Sequence, residues 1–172
     1  DAAITSVDVS EVSLAQCRDA VEAAGIANVA LRQADIFDLP FPPGSFDHVF
    51  VCFVLEHLVR PVEALAALSR VLKPGGLAVF SLWGEEARAP LVACALQCIR
   101  RILPPPKVER LSPFRFGDPA LLQRTLADAG FAQVEIHAHV LSCAFDTPQA
   151  YWQAFRDLAR GAAAGLSRLP EA

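Results

Sequence analysis

Strand-like runs alternate with helix-like stretches along most of the chain, and this alternation restricts the fold more than any other feature of the sequence. The runs are rich in β-branched and aromatic residues, and the stretches between them place apolar residues at helical spacing. The runs cover residues 3–7, 29–32, 46–53, 77–82, 134–137 and 140–145. The last two lie too close together for a crossover connection and are predicted to be antiparallel. The order therefore predicts an α/β sandwich with a mostly parallel sheet and a C-terminal antiparallel hairpin.

Residues with strong preferences for helix ends mark where the predicted helices begin and stop. Ser10 is predicted to cap the first helix, and Gly25 is predicted to end it. The Lys-Pro-Gly-Gly sequence at 73–76 is predicted to stop a second helix. The run over 46–53 is almost continuously apolar, which predicts a strand buried on both faces. Further helix starts are predicted at Pro61, Pro90, Asp118 and Pro148.

The composition is that of a globular domain and argues against several classes of function. The chain has 172 residues, of which 53% are hydrophobic and 20% charged, enough for one domain with its own core. A net charge of -4 argues against a nucleic-acid partner. The sequence has neither an apolar run long enough to span a bilayer nor a secretory leader. We therefore expect a soluble, cytoplasmic protein with a small-molecule partner.

Both ends of the chain suggest that sequence is missing. The chain contains no methionine, and residues 161–172 have the pattern of an amphipathic helix that continues to the last residue. We expect truncation at both ends, with a main domain over residues 1–145. Residues 146–172 are then an incomplete C-terminal helical segment that serves as a lid or an extension.

The cysteines argue against a disulfide framework. Their number is five and odd, and they are widely scattered among apolar neighbours. Cys94 and Cys98 share one face of a predicted helix, which leaves a metal pair open. Because no second pair of Cys or His stands at ligand spacing, we favour small buried hydrophobic residues and expect no metal site.

Candidate functional residues follow the predicted parallel strands, where ligands of such sheets bind. Asp8 ends the first strand, where a carboxylate can accept both hydroxyls of a ribose or can stabilise the start of the next helix. Asp35 follows the second strand and can accept from an adenine amino group or form a turn. His57 is a candidate general base, although a hydrogen-bonded structural histidine is the commoner case. Aromatic residues that can line an acceptor pocket or pack in the core are Trp83, Phe114, Phe116, Tyr151 and Trp152.

Several segments, in order and at matching spacing, carry a family resemblance. They are SVDVS at 6–10, QADIFDLPF at 33–41, GSFDHV at 44–49, VLEHL at 54–58, RVLKPGG at 70–76 and the stretch 122–134 with its AGF. With these segments the chain resembles a class I S-adenosylmethionine-dependent methyltransferase of the ubiquinone/menaquinone biosynthesis group. The resemblance covers about residues 4–145 and implies a Rossmann-like fold.

The resemblance also implies a role for five residues of this chain. Asp8 would bind the ribose hydroxyls of S-adenosylmethionine, and Val9 would lie along the adenine. Asp35 would meet the adenine amino group, and the backbone N–H of Ile36 would bind the ring. Cys52 would line the pocket near the sulfonium.

One part of the family pattern is absent from this sequence. Its nine glycines contain no G-x-G, so the first strand and the glycine-rich loop of the family have no counterpart. Because that loop approaches the methionine end of the cofactor, we expect this chain to bind S-adenosylmethionine weakly. The expected function is methyl transfer to a small organic acceptor. The alternatives are a non-catalytic pseudo-methyltransferase domain and an oxidoreductase with a nucleotide cofactor.

Overall fold

The computed structural model describes residues 2–104 and 111–158, and in them helices alternate with strands as predicted. The strands are β1 (Ile4–Asp8), β2 (Val29–Gln33), β3 (Phe46–Cys52) and β4 (Leu72–Ser81). The helices are α1 (Glu11–Ala23), α2 (Pro61–Val71), α3 (Pro90–Ile102), α4 (Pro119–Asp128) and α5 (Pro148–Leu158). Single 3₁₀ turns cover Leu55–His57 and Glu86–Arg88. The predicted helix over 161–172 lies outside the described residues.

The strands pair in parallel, as their order predicts, but in two separate pairs. β1 pairs with β2 from Ile4↔Val29 to Asp8↔Gln33, and β3 pairs with β4 up to Cys52↔Ser81. The result is two two-stranded sheets rather than one continuous sheet. Within each pair both strands end at the same edge, so the residues that follow them are neighbours.

The predicted antiparallel hairpin over 134–137 and 140–145 is not formed in this structure. Residues 132–145 contain no strand, and Val140 and Leu141 are 79% and 87% exposed. A two-stranded hairpin is marginally stable by itself and needs a third strand or a helix to cover one face. The β-prone composition of this segment is therefore insufficient to produce a ladder.

The core lies where α2 and α4 pack against one face of the β3–β4 sheet. Leu65 and Leu68 from α2 and Leu122 and Leu126 from α4 form a buried cluster with Val51 of β3. These residues repeat at helical spacing, which explains why each helix has one apolar face.

The prediction that β3 is buried on both faces is wrong. Val51 is 6% exposed, whereas Phe50, which points to the opposite face, is 70% exposed. Among the described residues the helices cover only the Val51 face, so Phe50 is left in contact with solvent. An apolar sequence identifies the strand, but it does not identify what covers each face.

The predicted ends of α1 and the predicted start of α4 are confirmed, whereas α2 already ends at Val71 and residues 73–76 lie in β4. The Oγ of Ser10 accepts a hydrogen bond from the Ser13 N–H at 3.2 Å, and Gly25 adopts a φ of 65° just after α1. Asp118 caps α4 by accepting from the Ala120 N–H at 2.9 Å. The described part of the chain has no helix of the length and apolar character that a bilayer crossing requires.

Candidate functional site

Asp8 ends β1 with one carboxylate oxygen already engaged. Its Oδ1 accepts a hydrogen bond from the Ser10 N–H at 2.7 Å, so the side chain supports the start of α1. The structural role that we considered for Asp8 is therefore present. A carboxylate has two oxygens that each accept hydrogen bonds, so this contact leaves acceptor capacity for a ligand.

Asp35 forms a turn directly after β2. Its Oδ1 accepts from the Phe37 N–H at 3.0 Å, and its backbone carbonyl accepts from the Asp38 N–H at 3.0 Å. This is the turn that aspartate side chains commonly form with the backbone two residues further on. The side chain is exposed, and Ile36 is half-buried against the core.

The β1–β2 pairing brings these two acidic residues to one edge of the sheet. Asp8 pairs with Gln33, and the Ala34 N–H donates to the Asp8 carbonyl at 3.2 Å. Val9 presents an apolar side chain that is 62% exposed beside them. Two carboxylates with exposed apolar surface between neighbouring strand ends form a surface that suits a nucleoside, which has hydroxyls on its sugar and a flat base.

The β3–β4 pair contributes a second group of residues at its own carboxyl edge. The Cys52 Sγ accepts a hydrogen bond from the Ser81 hydroxyl at 3.9 Å, and the Phe53 N–H donates to the Ser81 carbonyl at 2.9 Å. Phe53 has a φ of 53°, a conformation that costs energy for a residue with a side chain. Its ring lies 4.9 Å from that of Trp83, centroid to centroid.

A cation–π contact connects the loop after β2 with the segment before α2. The Arg60 guanidinium lies 4.8 Å from the centroid of the Phe37 ring and forms an ion pair with Glu63 at 2.6 Å. Val7 and Ile36 also pack against the cluster that contains Val51. The edge that carries Asp8 and Asp35 and the edge that carries Cys52 therefore share one core.

His57 is exposed, and the buried ionisable group beside it is Glu56. Glu56 is 0% exposed, and neither of its carboxyl oxygens has a hydrogen-bond partner among the described residues. Burial raises the pKa of Glu56, while the nearby charges of His57 and Arg115 act in the opposite direction. The side chain of Glu56 thus favours its neutral form more than an exposed carboxyl does.

The aromatic candidates divide between core and surface. Phe114 and Phe116 are buried, so they belong to the core. Tyr151 donates its hydroxyl to the Leu91 carbonyl at 2.7 Å, and Trp152 stacks on Phe155. Trp83 is half-buried, and of these aromatic residues it is the one that stands at a strand end with Phe53.

Comparison with known proteins supplies a family. Residues 2–80 match the family described as methyltransferase domain. A demethylmenaquinone methyltransferase from Listeria welshimeri is 40% identical over 73 residues, which are 42% of this chain and 31% of that protein. One from Staphylococcus carnosus is 33% identical over 123 residues, which are 64% of this chain and 51% of that protein. These matches support a class I S-adenosylmethionine-dependent methyltransferase.

Solved structures share this fold. The YcgJ protein from Bacillus subtilis superposes with a TM-score of 0.60 at 19% identity, over 97% of this chain and 68% of that chain. A SAM-dependent methyltransferase from Aquifex aeolicus has a TM-score of 0.52 at 23% identity, over 73% of this chain and 57% of that chain. This chain spans about half or less of the length of these curated methyltransferases.

The residues at the carboxyl ends of β1 and β2 fit the nucleoside half of S-adenosylmethionine. Asp8 and Asp35 supply the acceptors that ribose hydroxyls and an adenine amino group need, and Val9 supplies apolar surface for the base. The given sequence contains no G-x-G pattern.

Three features of the site escaped sequence reasoning. No local sequence pattern predicts the strained backbone of Phe53 or its contact with Trp83, because phenylalanine is uncommon at positive φ. The contact of Arg60 with Phe37 joins residues 23 positions apart in the sequence. The complete burial of Glu56 was not predicted either, because a glutamate is usually exposed.

Proposed function

We propose that this domain takes part in methyl transfer from S-adenosylmethionine to a small organic acceptor. The observation that carries the proposal is the parallel register of β1 and β2, which places Asp8 and Asp35 at neighbouring strand ends. The match of residues 2–80 to a methyltransferase domain supports the same cofactor.

In this proposal the chain binds the cofactor through five residues, four at the nucleoside and one near the sulfonium. Asp8 accepts from the ribose hydroxyls, and Val9 lies along the adenine. Asp35 accepts from the adenine amino group, while the backbone N–H of Ile36 binds the ring. Cys52 borders the sulfonium end of the site.

S-adenosylmethionine, when bound, supplies a methyl group on a good leaving group. The chain therefore has to align the acceptor with that methyl and exclude water, and a dedicated base is optional. The Phe53–Trp83 pair offers the apolar surface that borders the acceptor. His57, which is exposed, is the candidate base where the acceptor has a proton to lose.

The domain organisation follows from the same proposal. Residues 1–145 contain the methyltransferase part, and residues 146–172 serve as a lid over it or as an extension of it. In support, α5 packs on α3 through the Tyr151 hydroxyl, which donates to the Leu91 carbonyl.

The free thiols of the described cysteines support our proposal of a reducing, cytoplasmic location.

A second candidate is a non-catalytic domain that binds a nucleoside or a protein partner. The hydrogen bonds that Asp8 and Asp35 accept from the backbone agree with it, because both carboxylates already serve the fold. Isothermal titration of the chain with S-adenosylhomocysteine, adenosine and NAD separates the candidates. Methyl transfer predicts that S-adenosylhomocysteine binds more tightly than NAD. Equal affinity for adenosine and S-adenosylhomocysteine supports nucleoside binding alone, and a preference for NAD contradicts both.

A further inference from the structure

Two thiols on α3 are exposed on one face of the helix, contrary to the burial that we expected for them. Cys94 and Cys98 are four residues apart, and both are exposed. Both line one concave surface of about 460 Å³, together with Gln97, Arg100 and Arg101. An exposed pair of thiols at one surface needs a different explanation from core packing.

The helix separates the two thiols by a distance that suits a shared metal ion better than a disulfide. Residues at this spacing have Cβ atoms about 5–6 Å apart, whereas a disulfide requires about 3.5–4.5 Å. Thiolate–metal bonds of about 2.3 Å allow two sulfurs to lie about 4.6 Å apart on opposite sides of one ion. Rotation about the Cα–Cβ bonds can bring the two sulfurs to that separation while the helix stays intact.

The neighbouring groups favour an ion that needs only two ligands. Among residues 2–104 and 111–158, no cluster of three or more His, Cys, Asp or Glu stands ready to hold a metal. Tyr151 lies near both thiols. Its own burial is the main cause that raises its pKa, and the two thiols add to the shift. Its hydroxyl donates to the Leu91 carbonyl and so is already engaged. A tetrahedral Zn²⁺ site would lack ligands, whereas Cu(I) is a soft ion that prefers thiolates.

The charges around the surface agree with this choice. Two thiolates and one Cu(I) carry a net negative charge, which the guanidinium groups of Arg100 and Arg101 offset. Arg100 also pairs with Glu86 at 3.5 Å, which offsets part of its own charge. The same arginines repel a divalent cation about twice as strongly as Cu(I), because the repulsion scales with the charge of the ion.

We propose that Cys94 and Cys98 form a two-coordinate site for Cu(I). Binding forms two sulfur–copper bonds and releases the two thiol protons to solvent, with no change of oxidation state. The site is separate from the strand ends that carry the proposed methyl transfer and does not depend on that proposal.

Competition for Cu(I) against a chromogenic chelator, under anaerobic reducing conditions, tests the site on the full chain. We expect one Cu(I) per chain, bound at least about 10²-fold more weakly after Cys94→Ser or Cys98→Ser, because each removes the chelate. The matched control is the double variant Cys17→Ser/Cys143→Ser, which leaves the α3 pair intact and is expected to bind as the parent does. Circular dichroism checks that each variant remains helical.

Two further measurements can overturn the proposal. X-ray absorption should show two sulfur neighbours around copper in a monomeric chain; three or four sulfurs, or a dimer formed on copper, would contradict a two-coordinate site. Equal loss of affinity in the control variant would show that copper binds to any exposed thiol. Mild oxidation should leave Cys94 and Cys98 uncrosslinked, and an intrachain disulfide between them would refute the spacing argument.

Discussion

The guanidinium of Arg115 donates a hydrogen bond to the carbonyl oxygen of Leu58 at 3.0 Å, across 57 residues of sequence. This contact ties the segment before α4 to the turn that follows β3. It also brings a positive charge close to the carboxyl of Glu56, which is buried in that turn. Arg115 lies over the ring of Phe116, a core residue, so its side chain is held on both sides.

Substituting Arg115 with methionine is expected to destabilise the chain. The variant loses a charge-assisted hydrogen bond and leaves the Leu58 carbonyl without its donor, a loss of about 1.5–3 kcal/mol. Urea unfolding followed by fluorescence measures the change in the free energy of unfolding. Arg124→Met on the exposed face of α4 is the control and is expected to have little effect. Equal effects of the two substitutions would show that the Leu58 contact is unimportant.

The free energy of unfolding is expected to fall as the pH rises above the ordinary carboxyl pKa of 4.5, because burial raises the pKa of Glu56. Between the unfolded pKa and the raised folded pKa, the folded state holds a proton that the unfolded state has lost, so stability decreases with pH. Above the folded pKa this contribution to the slope vanishes.

The variant Glu56→Gln separates this effect from the other titrating groups. It is expected to flatten the decrease and to be more stable than the parent chain near neutral pH, while the exposed Glu22→Gln control keeps the parent slope. Thermal unfolding at a series of pH values measures the stability of each variant and its dependence on pH. A Glu56→Gln profile parallel to that of the parent would refute the assignment.

Asp8 is expected to contribute more to cofactor affinity than Asp35. A carboxylate that accepts two ribose hydroxyls makes two charge-assisted hydrogen bonds, and one that accepts from an amino group makes one. Asp8→Asn is therefore expected to weaken S-adenosylhomocysteine binding by about 10²-fold or more, and Asp35→Ala by about tenfold. The measurement is calorimetry with S-adenosylhomocysteine on the parent chain and on each variant.

Asp8 also supports α1 through its contact with Ser10. The melting temperature of the Asp8→Asn variant is therefore measured on the sample that is used for calorimetry. A lower melting temperature with unchanged affinity would mean that Asp8 acts only in the fold. Reduced affinity at a similar melting temperature would support the cofactor role.

Gly76 is expected to reject a side chain more strongly than Gly84. A Cβ at Gly76 would lie 2.9 Å from the backbone oxygens of Asp47 and Lys73, whereas one at Gly84 would meet nothing within 4 Å. Gly76→Ala is expected to cost about 1–3 kcal/mol, because backbone atoms on two sides must shift. Chemical unfolding of Gly76→Ala and Gly84→Ala compares them directly. A neutral Gly76→Ala would show that the backbone adjusts freely at the start of β4.

Helix ends and strand direction were predictable from the sequence, because they depend on neighbouring residues and on connection lengths. Ser10 caps α1 with its own side chain, and Asp118 does the same for α4. The helical connection between β1 and β2 makes their parallel pairing predictable, which places Asp8 and Asp35 at one edge. The candidate nucleoside residues were accessible to sequence reasoning for that reason.

Burial and long-range pairing were decided only by the tertiary structure. Phe50 and Val51 are alike in sequence, yet α2 and α4 cover only the Val51 face of β3. Cys94 and Cys98 are exposed, and residues 134–145 form no hairpin, because packing partners elsewhere in the chain determine both outcomes. A local pattern specifies which residues can be buried, whereas the free energy gained by burying them depends on the elements that pack against them.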